Sequence, residues 1–439
     1  MAGIQASNPR RPEALRVAES RQQGGATSPK ALQARTELPT WVETLALIAL
    51  LSYALTAASA GPLRWGLALA KLTPLTYLPQ LLMLLATLVV LVAEAKPGVS
   101  PMRAMSLLVL GFGVVVGMMY TQTKQVMFGL YTLLPFWFGL SCGELVFRHW
   151  RKVCRVALPL WIMVVLGGCL NSAIKFPWEG FSYAVGDLEV SSSREWENIG
   201  GGKRLAGFSR ASFDAALQVL LLGVIVCLTV RNLLARLLMW ALTFATIYLT
   251  TSKGVYNMFI ILSPMVLMGP LLPSSALRWW PMALGLIALL MPMAPLALDV
   301  NFYIRDQQLA NLTYSFWDRL NNMWPEAWKL LEVYGHPLWG RGFGGIGTPQ
   351  GYFEPERFNA ADNIFMYWFV VFGWIALPGF LLILYRSLRL DPWRSQIEAA
   401  AFGLLLATLV YGVTANVVES GLFAVSSGLA LRYLFRSAS

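Results

Sequence analysis

The chain is short of charge, and this shortage excludes a soluble fold. Charged residues make up only 13% of its 439 residues, about half the share in soluble proteins. Hydrophobic residues make up 56%, and the mean hydropathy is +0.57. A composition of this kind is typical of a protein that crosses a membrane many times, so the fold class that we expect is an all-α polytopic membrane protein.

Cysteine and histidine are also scarce, which argues against a disulfide framework and a metal centre. The four cysteines fall in or beside apolar segments, and no metal-ligand spacing is present: Cys142, Cys154, Cys169 and Cys227. Two histidines, His149 and His336, are too few for a histidine-rich metal site. We therefore expect no metal and no structural disulfide.

Apolar segments of about 20 residues, the length that crosses a bilayer, fill most of the chain. They predict twelve spans, near residues 41–59, 76–94, 104–121, 126–145, 154–170, 212–230, 233–250, 254–272, 280–298, 363–385, 396–413 and 418–433. These form a single membrane domain over residues 39–439. Residues 1–38 are polar and basic without a signal-peptide pattern, and they predict a disordered cytoplasmic tail.

Lysine and arginine are concentrated in alternate short loops, which sets the predicted orientation. The bias places both termini in the cytoplasm and two long polar stretches, Asn171–Ala211 and Asp299–Ala361, outside. The net charge of +11 is then mostly a topology signal, and a nucleic-acid partner is not needed to explain it. The chemistry of the protein is expected in the two long stretches and the helix ends beside them.

The first long stretch ends in three glycines followed by Lys203, Arg204 and Arg210, just before a predicted helix. Free amides at a helix start together with arginine favour an anion, and we take Ser209 or Ser212 as the N-cap. The cations could instead pair with acids nearby, Glu195 or Glu197, or with lipid headgroups. This second interpretation is preferred for Lys203 and left open for Arg204 and Arg210.

Lys253 lies in a short outside turn, Thr250–Gly254, where a lysine that reaches the membrane surface is the common explanation. The second long stretch contains an amphipathic segment over 314–333 and then a glycine-rich segment over 335–347. We interpret the glycines as a tight turn packed on the spans, with Arg341 pointing inward. Asp362 stands at the next helix start, as an N-cap or as a general base.

Taken in order, these motifs resemble those of the O-antigen ligase and O-antigen polymerase superfamily of bacterial membrane glycosyltransferases. Two positions depart from the family pattern, because Lys253 replaces an arginine and Asp362 replaces a histidine. The matching segments span roughly residues 200–385: Arg204–Phe208 (RLAGF), Thr250–Gly254 (TTSKG), Arg319 on a loop helix, Pro337–Gly342 (PLWGRG) and Asp362–Trp368 (DNIFMYW).

The resemblance implies a class C glycosyltransferase fold in the bacterial inner membrane, with its site facing the periplasm. The donor would be a glycan on a polyprenyl pyrophosphate, with no nucleotide sugar, cofactor or metal. Asp362 would be the catalytic base. The residues expected to bind substrate are Arg204, Arg210, Lys253, Arg341, Arg319, His336 and Asn363.

The expected acceptor is another carrier-linked repeat unit, so that the protein polymerises an exopolysaccharide, a capsule or an O-antigen. Membrane lipids and a chain-length regulator are the expected partners. An O-antigen ligase that uses lipid A–core is the alternative, although Asp362 departs from the imidazole of ligases. A lipid-linked glycan transporter is the alternative from another class, disfavoured because no internal repeat is visible and the ionisable residues cluster at the outer face.

Overall fold

The computed structural model describes residues 38–95, 101–185, 188–193, 203–297 and 307–436, and the predicted tail lies outside them apart from Leu38. The helices are α1 (Thr40–Ala58), α2 (Ala60–Leu69), α3 (Leu78–Ala95), α4 (Pro101–Tyr120), α5 (Thr123–Arg148), α6 (Trp150–Ala173), α7 (Ser212–Thr229), α8 (Leu233–Thr250), α9 (Lys253–Met268), α10 (Ser274–Leu277), α11 (Trp279–Leu290), α12 (Ala294–Ala297), α13 (Gln307–Asp318), α14 (Trp324–Tyr334), α15 (Thr348–Phe353), α16 (Ile364–Phe372), α17 (Ala376–Ser387), α18 (Gln396–Gly412) and α19 (Gly421–Leu434). One antiparallel hairpin, β1 (Ser182–Val185) with β2 (Leu188–Ser191), pairs Ser182 with Ser191.

Eight helical segments of the described chain are long and apolar enough to cross a membrane: Thr40–Ala58, Thr73–Ala93, Thr123–Arg148, Trp150–Ala173, Ser212–Thr229, Leu233–Thr250, Ser274–Leu296 and Ile364–Ser387. Each corresponds to a span predicted from hydropathy. The other four predicted spans correspond to shorter apolar helices: Ala104–Tyr120, Lys253–Met268, Gln396–Gly412 and Gly421–Leu434. The structure is therefore that of an all-α, multi-pass membrane protein, and the count of twelve stays a prediction.

Helices α5 and α19 pack closely and in the same direction. A Cβ on Gly139 of α5 would lie 3.0 Å from the amide nitrogen of Leu429, and one on Gly143 would lie 2.9 Å from the Cβ of Arg432. Small residues let helix backbones approach this closely in membrane proteins. Because the helices run in parallel, the turn before Gly421 lies beside the first turns of α5. This contact positions one wall of the site described below.

The glycine-rich segment 340–347 is a tight turn packed on the helices, as its sequence predicted. Its backbone bonds to α16 through Gly342 N and Val371 O (2.9 Å) and to α4 through Phe343 N and Gly113 O (2.9 Å). Gly342 has a φ of 73°, and a Cβ there would overlap the backbone of Gly117. Only glycine fits this position, because it combines a left-handed backbone with no room for a side chain.

Candidate functional site

Both long polar stretches contribute to one cavity of about 1710 Å³ at one end of the helices. The walls come from α1, α3, α5, the first turn of α7, the α8–α9 turn, α13, α15 and the turn between α18 and α19. Five of the residues singled out in the sequence line this cavity: Arg204, Arg210, Lys253, Arg319 and Asp362. Residues more than 150 positions apart in the chain are thus brought to one site.

The cavity carries more positive than negative side chains. Its lining residues include five cations, namely Arg64, Arg204, Arg210, Lys253 and Arg319, and three acids, namely Asp214, Asp362 and Glu419. The imbalance favours an anionic ligand, because low-dielectric walls strengthen the field of these charges. Arginine suits a phosphate in particular, since its planar fork can bind two oxygens together.

Arg204 is held by hydrogen bonds of its own segment to the end of α8. Its Nε donates to the Thr250 carbonyl (3.4 Å), and the Leu205 amide donates to the Leu249 carbonyl (3.4 Å). Burial lowers the pKa of the Arg204 guanidinium, although an arginine stays charged throughout the physiological range. The two bonds explain why Arg204 and the Lys253 turn meet.

The turn that carries Arg204 is anchored by Asn171 at the end of α6. The Asn171 side chain accepts from the Gly207 amide (3.0 Å) and donates to Glu179. The Trp178 indole donates to the Gly207 carbonyl (3.3 Å), and the Trp178 ring stacks on Phe176 at 4.5 Å. The start and the end of the first long stretch are therefore tied together by these bonds.

Lys203 forms an ion pair with Glu179. The preferred interpretation of this lysine, pairing with an acid, therefore holds, but the acid is not one of the two first considered. The Glu179 carboxylate is almost fully buried and also accepts from Asn171 and from the Phe176 amide (3.1 Å). Burial acts to raise the pKa of Glu179, but these hydrogen bonds outweigh it, and the pKa lies below its usual range. Glu195 and Glu197, the partners first considered, lie outside the described residues.

Helix α7 starts without a side-chain cap, so the prediction of Ser209 or Ser212 as the N-cap is wrong. The cap position is Ala211, and Ser212 is the first helical residue. The Ser209 hydroxyl instead donates to Gln218 Oε1 (2.8 Å), one and a half turns into the helix. Neither serine therefore caps α7, and Arg210, which precedes the helix, lines the cavity.

The turn between α8 and α9 has an unusual backbone. Thr251 has a φ of 54°, a left-handed conformation that a β-branched residue rarely adopts. Lys253 follows as the first residue of α9, exposed to the cavity. Strained residues of this kind cluster at functional sites, where the surrounding structure holds them in place.

Arg319 and Asp362 form an ion pair at the rim of the cavity. Arg319 Nη2 donates to Asp362 Oδ2 at 2.7 Å, while Arg319 Nη1 donates to the carbonyl and the hydroxyl of Ser315. Arg319 begins a π-helical segment, Arg319–Met323, between α13 and α14. Single π-helical turns inside α-helices often mark functional sites.

Asp362 is a rim carboxylate, and the structure excludes its interpretation as the N-cap. The cap is Asn363, whose Oδ1 accepts from the Met366 amide (2.9 Å). Asp362 itself has a φ of 41°, next to Ala361 at 65°. Burial raises the pKa of the Asp362 carboxyl above its usual range, and Arg319 holds back part of the rise. A general base works best when its pKa lies near the operating pH, and a raised pKa brings the Asp362 carboxyl closer to that condition.

Three residues proposed from sequence do not line the cavity. Arg341 is 1% exposed and its guanidinium is committed to Glu354 Oε2 (2.6 Å), the Gly345 carbonyl (2.7 Å) and the Tyr334 carbonyl (3.0 Å). It does not point into the cavity as expected, because one acceptor of the glycine-rich turn and two from the segments on either side surround its guanidinium. Its position is that of a structural residue.

His336 and Asn363 are likewise committed elsewhere. The His336 ring stacks on Trp339 with centroids 3.4 Å apart, and His336 Nδ1 accepts from the Leu338 amide (3.1 Å). Asn363 is fully buried, and its Nδ2 donates to the carbonyls of Ala288 (2.9 Å) and Val413 (3.1 Å). Asn363 therefore joins α11, α16 and α18 rather than meeting a ligand.

Two charged lining residues were missed in the sequence. Glu419 lies in the turn before α19, and its carboxylate accepts from the Thr348 amide (2.9 Å), the Thr348 hydroxyl (2.9 Å), Asn416 (3.0 Å) and the Tyr367 hydroxyl (3.1 Å). Burial raises the pKa of the Glu419 carboxyl, and these hydrogen bonds offset only part of the rise. An acid inside an apolar hairpin is the signal that could have revealed it.

Arg64 lies in the short α2 helix, and its Nε is buried without a hydrogen-bond partner in the described chain. The signal for Arg64 was its place in a predicted outside loop, where cations are rare.

Comparison with known proteins finds no match to this chain, either among family models, among curated proteins or among solved structures.

Proposed function

We propose that this protein is a membrane glycosyltransferase whose donor is a glycan on a polyprenyl pyrophosphate. The observation that carries the proposal is the single cavity in which five cations face a rim carboxylate, next to helices that can lie in a bilayer. A diphosphate diester is a dianion, and it would balance the excess of cations. Its lipid tail would remain among apolar helix surfaces.

In the proposed reaction Asp362 accepts the proton from the acceptor hydroxyl as that oxygen attacks the anomeric carbon of the donor. The new glycosidic bond forms as the bond from that carbon to the pyrophosphate oxygen breaks. The carrier pyrophosphate leaves as an anion toward Arg204, Arg210 and Lys253, and a single displacement inverts the anomeric carbon. Asp362 suits this part because its Oδ1 has no hydrogen-bond partner in the described chain.

We propose repeat-unit polymerisation as the reaction, and lipid A–core ligation as the variant that the same cavity would also serve. The resemblance in motif order supports the donor, and the carboxylate in place of imidazole at position 362 favours the polymerase. The site would face the periplasm of a bacterial inner membrane. A transporter would need the cations only for binding, whereas a transferase also needs the rim carboxylate.

The test is transfer by the purified full chain in proteoliposomes that contain a polyprenyl-pyrophosphate-linked repeat unit. We expect longer carrier-linked glycan and released polyprenyl pyrophosphate, both abolished by Asp362→Asn. Addition of lipid A–core to the same vesicles distinguishes ligation from polymerisation. Movement of intact donor across the vesicle without any new glycosidic bond would contradict the proposal and favour the transporter.

A further inference from the structure

We propose that the wall formed by α3, α5, α15 and the turn before α19 is a subsite for a sugar ring of the acceptor glycan. This inference rests on the proposed function and assigns the acceptor side of the same cavity. It starts from aromatic rings, Phe128, Tyr131 and Tyr352, that line the cavity without any sequence motif to indicate them.

The rings form one continuous patch. Phe128 stacks on Tyr131 with centroids 5.8 Å apart, and Tyr352 meets Phe128 edge-on at 5.2 Å. Tyr352 remains 47% exposed although it lines the cavity, so a ring face is open to a ligand. The negative face of an aromatic ring attracts the positively polarised C–H groups on one face of a sugar.

Hydrogen-bond acceptors line the same cavity as this patch, as hydroxyl groups of a sugar require. Gln80 Oε1 and Asn416 Oδ1 are buried and have no hydrogen-bond partner in the described chain, and both residues line the cavity. Buried amide oxygens without a donor are costly, and a ligand hydroxyl would satisfy them. An aromatic face combined with a few convergent polar groups is the usual form of a small-molecule site.

The charge distribution assigns this wall to the acceptor rather than to the donor. Arg64 and Arg210 lie within electrostatic reach of the Tyr131 end of the patch. At the Tyr352 end, on α15, Thr348 bonds to Glu419, whose carboxylate would repel a pyrophosphate. The donor sugar must stay beside its pyrophosphate and therefore beside the cations. The acceptor presents a plain hydroxyl at its reacting end, so its sugar suits the Tyr352 end of the patch, beside Glu419.

The test uses the detergent-purified full chain with two probes, a panel of neutral di- to tetrasaccharides without phosphate, and inorganic pyrophosphate. Saturation-transfer NMR measures the first and calorimetry the second. We expect at least one oligosaccharide to bind, and to bind about tenfold more weakly to Tyr352→Ala but normally to Tyr352→Phe. Gln80→Leu should also weaken it. Tyr314→Ala, which removes an exposed ring outside the cavity, is the matched control and should change nothing.

The two probes separate the subsite from the donor proposal. Simultaneous binding of oligosaccharide and pyrophosphate, with pyrophosphate affinity unchanged in Tyr352→Ala, supports an acceptor subsite. Absence of oligosaccharide binding, mutual exclusion of the two probes, or equal loss in Tyr352→Ala and Tyr314→Ala would overturn it. Oligosaccharide binding that depends on Tyr352 without any pyrophosphate binding would support the subsite and refute the donor.

Discussion

Arg319 Nη2 donates to Asp362 Oδ2 at 2.7 Å, and this bond joins the middle of the second long stretch to the start of α16. Both side chains are partly exposed to the cavity, at 17% for Arg319 and 25% for Asp362. The pairing opposes the rise in pKa that burial causes at Asp362, and it leaves Oδ1 for another partner. Because Arg319 and Asp362 are paired, replacement of Arg319 should change the behaviour of the Asp362 carboxyl.

Replacement of Asp362 by asparagine should abolish activity without loss of the fold. Asparagine keeps the size of the side chain and tolerates the positive φ of this position, but it cannot accept a proton. We expect a loss of roughly a hundred- to ten-thousandfold in transfer rate, measured in proteoliposomes. Glu356→Gln is the matched control, since Glu356 is an exposed acid of the same stretch. A fully active Asp362→Asn protein would refute the role of Asp362 as base.

Replacement of Arg319 by glutamine should move the pH dependence of transfer. Burial raises the pKa of the Asp362 carboxyl, and Arg319 opposes that rise, so removal of Arg319 should raise the pKa further. A base must be deprotonated to act, and the acidic limb of the pH–rate profile should therefore shift to higher pH. An acidic limb that stays in place in Arg319→Gln would show that another group titrates.

Glu419 should make the stability of the protein depend on pH. Burial raises the folded-state pKa of Glu419 above its ordinary value of 4.5, so the folded state binds this proton more tightly than the unfolded state. Stability should fall as pH rises from that ordinary value through the raised folded pKa. Glu419→Gln should reduce this slope to the part that Asp362 contributes, and it should cost about 1–3 kcal/mol because one amide group would face the donors of Thr348 or Tyr367.

The measurement is the thermal unfolding midpoint in detergent over a pH series, with Glu356→Gln, an exposed acid on the same stretch, as the control. Identical slopes in wild type and Glu419→Gln would contradict the prediction.

Arg341 and Arg204 should fail in different ways when each is replaced by alanine. Arg341→Ala leaves Glu354 and two carbonyls without their donor inside the protein, at a cost of about 3–5 kcal/mol. Arg204→Ala loses one long hydrogen bond and should keep its thermal midpoint while transfer falls roughly ten- to a hundredfold. Unfolding curves and transfer rates, measured for both variants, distinguish a structural role from a role in substrate binding. A stable but inactive Arg341→Ala protein would return Arg341 to the substrate site.

The two long stretches should be reached by reagents from outside an intact cell. Single cysteines at Lys175 and Glu356, both exposed, should react with an impermeant maleimide, in a chain whose four native cysteines are replaced. Arg151→Cys, on a predicted inside loop, should react only after the membrane is opened. The reverse pattern would invert the orientation derived from the basic loops.

Hydropathy alone determined the helical, multi-pass character of this protein, because a span needs only a contiguous apolar run. Local patterns also indicated Arg204 and Asp362, since cations and acids beside spans are rare and costly, and the resemblance in motif order added Lys253 and Arg319. The glycine-rich turn was also predicted from the sequence, because clustered glycines indicate a tight turn.

Only the tertiary structure decided which of these charges meet. Arg341 and Arg319 look equivalent in the sequence, yet Arg341 is enclosed by its own turn and Arg319 reaches the cavity. The N-cap is Asn363 rather than Asp362 because the backbone of residue 362 is left-handed. Glu419 joins the site because glycines let α5 and α19 approach. Partners of this kind depend on distances between segments far apart in the chain, which no local pattern encodes.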